Sequence, residues 1–180
     1  QKGPVLITHW GLSGPAVLKL SAFAAKNLYE ANYQANLLIN WLGNQTADQC
    51  FKKIWEHKLL NGKKESKTTP MFSLSKKMWA QFLQEDGKKK WSDLSKDSVK
   101  NLANTLCCQK FLINGKGVFK EEFVTCGGIK RNEIDFKKME SKKTKSLFFA
   151  GEILDIDGIT GGFNFQNAWT GAWIASQNLG

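Results

Sequence analysis

The stretch from Leu147 to Gly171, LFFAGEILDIDGITGGFNFQNAWTG, limits the possible folds more tightly than any other part of this chain. Its apolar opening, Leu147 to Ala150, has the length of a short buried strand and is bounded by Gly151. Glu152, Asp155 and Asp157 then fall among Gly151, Gly158, Gly161 and Gly162, so the backbone can turn tightly and admit a close neighbour. After Gly162 the pattern becomes helical. Phe165, Trp169 and Trp173 make one i, i+4 row, while Ala168, Gly171, Ala172 and Ala175 supply small side chains for close packing. Strand, glycine loop and helix in direct succession set the free N–H groups of a helix start beside a loop. That suits anionic or electron-rich ligand atoms. A reduced flavin and a phosphate both qualify, and so does a tight turn that holds no ligand.

The 180 residues, 42% hydrophobic with seven Trp, suffice for a sizeable core in one domain or two small ones. No apolar run is long enough to span a bilayer, and Gln1 to Gly14 lacks the form of a signal peptide, so no membrane role is expected. Cys50, Cys107, Cys108 and Cys126 show no CxxC spacing, and only His9 and His57 accompany them. No metal site can be read, and the expectation is non-catalytic reduced thiols in a soluble protein of the cytoplasm or another reducing compartment. Cys126 stands out because it lies at a strand end beside Gly127 and Gly128.

The net charge is +10, and every basic residue except Arg131 is a lysine. The lysines gather in polar joints (Lys63 and Lys64, Lys76 and Lys77, Lys88 to Lys90, Lys137 and Lys138, Lys142 and Lys143) without interleaved aromatics. Arginine, which reads phosphate and guanine through two parallel bonds, is nearly absent. A solvated surface is the simpler expectation, and nucleic acid is disfavoured as a partner. The competing function class is a basic nucleic-acid or anionic-partner module built on the lysine-rich middle of the chain.

In chain order, Pro4 to Trp10 predicts a strand with Val5, Ile7 and His9 on one side. A turn follows, with Ser13 as N-cap and a helix over 15–27. Tyr33 to Leu42 alternates as a strand should. Thr46 with Gln49 forms a capping box before a helix over 47–60, and further helices are expected over 75–85 and 96–106. The Trp and Phe residues of this middle section read as its core. Strands return at Lys110–Ile113 and at Gly117–Thr125. Glu121 and Glu122, adjacent on the latter, face opposite ways and are poorly placed to share acid–base work. The run Asp155 to Gly158 has part of a calcium-loop spacing but lacks the later glutamate.

GPVLITHWGLSGPAVLKLS at 3–21, EEFVTCGGI at 121–129 and MESKKTKSLFFAGEILDIDGITGGFNFQNAWTGAWIA at 139–175 resemble three landmarks of one flavoprotein family, in the family's order. It is the NAD(P)/FAD-dependent oxidoreductase group called YhiN-like or BaiN-like, whose members include aminoacetone oxidases and bile-acid reductases. The resemblance implies an α/β (α+β) chain: the tail of an inserted strand-plus-helix domain, then the returning C-terminal part of a Rossmann-like FAD-binding domain. On that reading 1–43 ends the inserted β-rich domain, 44–108 is its helical section, 109–126 holds its returning strands, and 127–180 belongs to the FAD domain. No GxGxxG is present, so the half that would hold the pyrophosphate is expected on a missing N-terminal portion, and this chain reads as a C-terminal fragment inactive alone.

Carried over residue by residue, the resemblance implies FAD contacts at Gly151 and Glu152, at the turn of Asp157 and Gly158, and through Thr160, Gly161, Gly162, Phe163, Asn164, Phe165 and Gln166. A further T-x-GG turn is matched by Thr125, Gly127 and Gly128. Cys126 stands there where a small alanine is usual. The family names no secure catalytic acid or base for this chain. The implied function is hydride transfer through bound FAD, with NAD(P)H as candidate electron donor and a small organic molecule as substrate.

Overall fold

A computed structural model describes residues 1–115, 124–158 and 162–179. In chain order the elements are β1 (Leu6–Ile7), β2 (Leu12–Ser13), α1 (Pro15–Phe23), α2 (Ala25–Glu30), β3 (Gln34–Ile39), α3 (Ala47–Leu60), α4 (Lys76–Leu83), α5 (Lys96–Cys107), β4 (Gln109–Asn114), β5 (Ile134–Asp135), β6 (Glu140–Ser141) and α6 (Gly162–Ser176). The fold thus mixes helices with small sheets. Among the described residues the named strands pair antiparallel, two by two: β1 with β2, β3 with β4, and β5 with β6. The chain divides into two compact units, residues 34–114 and residues 1–33 with 115–180.

In the unit 34–114 the helices start where their side chains dictate. Thr46 accepts from Gln49 N while the Gln49 side chain accepts from Thr46 N, so the expected capping box opens α3. Ser75 and Ser95 cap α4 and α5 by accepting from Met78 N and Ser98 N. The helix expected over 75–85 stops at Leu83, because Gln84 takes φ 51° and the chain continues as a 3-10 turn over Gln84–Lys88. The apolar faces enclose Cys50, Ile54, Trp79, Leu83, Trp91, Leu94, Val99, Leu102, Ala103 and Leu106, with Trp41, on the loop after β3, bonding through N–H to Leu106 O. Strand β3 pairs with β4 in the register Gln34↔Asn114 to Ile39↔Gln109. Burial of Cys50, then the neighbouring Cys107, pushes its thiol up to about 12, so it packs as an inert apolar group.

The second unit departs further from expectation. The strand expected over 4–10 shrinks to Leu6–Ile7, because the chain turns back at Thr8, whose side chain both donates to Gly11 O and accepts from Gly11 N. Ser13 lies in β2, and the residue capping α1 is Gly14 at φ 99°, where a Cβ would stand 3.0 Å from Leu6 N and 3.1 Å from Pro4 O. The single helix expected over 15–27 is divided at Ala24 into α1 and α2.

The run Leu147 to Ala150 is not a strand but an extended segment beside β6, bridged at Phe148↔Glu140 and held by Ser141 N to Leu147 O and Phe149 N to Met139 O. Leu147 remains 42% exposed. A small core of Ile134, Met139, Leu154 and Ala175 lies beneath it, edged by Phe148 and Phe149. The strand expected over 117–125 falls largely outside the described residues, as do Glu121 and Glu122.

Candidate functional site

One parallel bridge assembles the glycine-rich segments. Ile129 pairs with Leu154, with Ile129 N donating to Ile153 O and Asp155 N to Ile129 O, each at 2.9 Å. The turn carrying Thr125, Gly127 and Gly128 therefore lies alongside the stretch that carries Gly151, Glu152, Asp157 and Gly158. Only glycine fits at 128. Its φ is 139°, and the space a Cβ would take is filled by the Ile153 carbonyl and the Leu154 backbone.

Three other glycines have the opposite surroundings. Among the described residues, their chain neighbours and own helix aside, Gly127, Gly151 and Gly162 have no atom within 4 Å of where a Cβ would stand. Their backbones border open space, which a flat ring can approach closely. Glu152 is exposed on the 3-10 turn Gly151–Ile153, and Thr125 is exposed at the head of its turn. Bare backbone is thus present on both bridged turns, at Gly127 and Gly151, and at the start of α6, at Gly162.

Asn164 bonds back to Gly158. Its Oδ1 accepts from Gly158 N at 2.8 Å and its Nδ2 donates to Gly158 O at 3.4 Å, while the Phe163 ring occupies the space beside Gly158. Asn164 thus ties the first turn of α6 to Gly158 through bonds that spacing alone did not reveal. Gln166 donates to Thr170 Oγ1 one turn along α6, and Phe163 and Phe165 are exposed. Thr160 and Gly161 lie outside the described residues.

Lys26, which sequence patterning gave no reason to single out, pairs with Asp155 at 3.7 Å. A hydrogen bond with Asp157, aided by burial, pushes the Cys126 thiol up, so the thiol stays protonated at neutral pH. It is no activated nucleophile. Among the described residues no group of three His, Cys, Asp or Glu side chains could hold a metal ion.

Helix α6 seats itself by its small face. Gly171 and Ala175 are buried, and a Cβ on Gly171 would stand 3.0 Å from Met139 Cε and 3.8 Å from Ala150 Cβ. The aromatic row points away from this contact: Phe165, Trp169 and Trp173 are 66%, 68% and 65% exposed. Among the described residues no helix is long and apolar enough to cross a membrane.

A family model described as HI0933-like protein barrel and H2TH domain matches residues 1–124. The chain is 32% identical over 178 residues to the ribosomal RNA dihydrouridine synthase of Escherichia coli strain K12, an alignment covering 97% of this chain and 42% of that protein. It is 32% identical over 177 residues to the Haemophilus influenzae protein of the same name, with the same coverage. Identity to the 3-dehydro-bile acid delta(4,6)-reductase of Clostridium scindens is 28% over 187 residues, covering 97% of this chain and 43% of that protein. The chain therefore spans less than half the length of these relatives.

Proposed function

The chain belongs to the HI0933-like family, and from that membership we propose that it is the C-terminal portion of an FAD-dependent oxidoreductase that saturates a carbon–carbon double bond conjugated to a carbonyl. The names of the relatives share this chemistry. Dihydrouridine is uridine with its 5,6 double bond reduced, and that bond is conjugated to the 4-carbonyl. A 3-dehydro substrate with delta(4,6) unsaturation likewise has its double bonds conjugated to a ketone. In both, hydride adds at the carbon remote from the carbonyl and a proton adds at the adjacent one. FAD, when bound, would supply the hydride, and NAD(P)H would replenish it.

The observation that supports the reading is the Ile129↔Leu154 bridge, which draws two separate glycine turns to one place. On those turns Gly127 and Gly151 leave main chain uncovered for a flat ring, as Gly162 does at the start of α6, while Gly128 fixes one turn and Asn164 bonds back to Gly158. The N–H groups at the start of α6 favour negative charge gathering on the ring. The exposed row Phe165, Trp169 and Trp173 is the kind of apolar face that another part of the polypeptide covers. We assign that cover, and the pyrophosphate-binding half, to the additional length the relatives possess.

The test is absorbance. Joined to a matching N-terminal portion, the protein should copurify with a yellow chromophore and oxidise NADH or NADPH in the presence of an α,β-unsaturated ketone. Gly162→Val should remove the colour without unfolding the protein, since its side chain would project into open space. A folded joined protein that stays colourless with added FAD overturns the reading.

A further inference from the structure

The lysines that sit in separate joints along the sequence are gathered by the fold. Of the net charge of +10, the larger share belongs to residues 34–114, which carry fourteen lysines against seven acidic residues and no arginine. Segments 62–66 and 88–92 run antiparallel as a two-stranded ribbon: Ser66 N donates to Lys89 O, Trp91 N to Lys64 O and Ser92 N to Gly62 O, around a bridge between Glu65 and Lys90. In that register Lys90 stands opposite Glu65 and Lys64 opposite Trp91, with Lys63 and Lys89 next along their segments and Lys88 closing the turn before them, and all five lysines are exposed.

Some of this charge is neutralised locally. Lys88 pairs with Glu85, Lys89 with Asp86 and Lys67 with Glu65. Lys63, Lys64 and Lys90 have no ion-pair partner among the described residues, and Lys64 is steadied by the Asn61 side chain.

The ribbon is also fixed from below, as a merely solvated loop need not be. Buried Lys58 donates to Trp91 O at 2.6 Å and Ser92 O at 2.9 Å; Trp79 Nε1 donates to Ser66 O; Ser66 Oγ donates to Asp86 O; Trp91 Nε1 donates to Thr69 Oγ1. Cations set at fixed spacing on a rigid ribbon match a row of phosphates better than the same cations on a mobile loop.

We propose that this ribbon is an RNA-backbone grip that holds a structured RNA as the substrate of the enzyme. RNA is preferred to other polyanions because two relatives aligned across 97% of this chain are named for acting on ribosomal RNA. Lysine meets phosphate as a point charge, without arginine's paired bonds, and such contacts position a nucleic acid without reading its sequence. The choice of base then belongs to the flavin site. The proposal rests on the oxidoreductase reading only in making the RNA a substrate.

Binding of a fluorescently labelled RNA stem-loop by the 180-residue chain, measured across a range of KCl concentrations, tests it. Lys63→Gln/Lys90→Gln should weaken binding about tenfold near 0.1 M salt and flatten the plot of log K against log salt by roughly 1.5. Lys63→Arg/Lys90→Arg should restore both. Lys137→Gln/Lys138→Gln, an equal charge change outside the unit 34–114, should leave both unaltered. Equal effects from the two glutamine pairs, or none from either, overturn the grip. The flavin reading is tested separately: a colourless joined protein that still shows the lysine-dependent slope fails as a flavoenzyme but not as an RNA binder.

Discussion

Trp79 and Trp91 on one side, and Trp169 and Trp173 on the other, show how differently the two units use the same residue type. In the unit 34–114 both indoles are wholly buried, with their N–H groups bonded to Ser66 O and Thr69 Oγ1. In the unit formed by 1–33 and 115–180, both stand about two-thirds exposed on α6. The first unit closes its own core and satisfies its buried polar atoms almost completely. The second presents an apolar face that no described residue of that unit covers. The lesson is that completeness here is a property of each unit, not of the chain.

The comparison breaks most readily at Trp91. Trp91→Ala should cost about 3–5 kcal/mol, because it empties the space against Trp79 and His57 and frees the Thr69 hydroxyl. Urea unfolding followed by far-UV circular dichroism should show the loss, and an unchanged midpoint would mean that the core is not closed. Next comes Gly128→Ala, which forces a Cβ against the Ile153 carbonyl and should cost about 2–3 kcal/mol. Its effect should appear as lost flavin colour in the joined protein, with the unit 34–114 still folded.

Trp169→Ser/Trp173→Ser sharpens the contrast from the other direction. In the chain alone its effect on stability should stay within about 0.5 kcal/mol, with reduced binding of a hydrophobic dye. In the joined protein the same pair should weaken association or lower the melting temperature. Equal behaviour in both settings would show that α6 is not a covered face.

The smallest effect is one of pH. Burial, and then the charge of Lys64, hold the His57 pKa below its ordinary 6.5, and its Nε2 is buried with no hydrogen-bond partner among the described residues. The folded state therefore prefers neutral His57, while the unfolded chain takes up a proton first as pH falls. Stability should be full above about 6.5, decline as pH drops below it, and level off past the folded pKa. Melting temperatures at pH 7.5 and 5.5 should differ less in His57→Gln than in the parent chain.

The sequence was most legible where structure is decided locally. The Thr46–Gln49 box and the 3.6-residue apolar pattern place α3, α4 and α5 within a residue or two, because caps and helix faces depend on near neighbours. It was least legible where a segment needs a distant partner. Leu147 to Ala150 has the composition of a strand, but pairing is a property of two segments, and the described residues supply only one short neighbour. The glycine spacing marked the loops of the candidate site but not the clasp from Asn164, the Lys26–Asp155 pair or the ribbon that collects the lysines. Each of those joins residues with no regular separation.

The register of β3 and β4 has a consequence for how such a chain can change. Gln34 and Asn114 stand opposite one another, so the first and last residues of an 81-residue unit are one strand spacing apart. A segment that leaves and re-enters at one point is a cassette. It can be lengthened, traded for another or cut back to a tight turn while the flanking ends keep their separation, so the unit can change independently of the glycine-rich turns outside it.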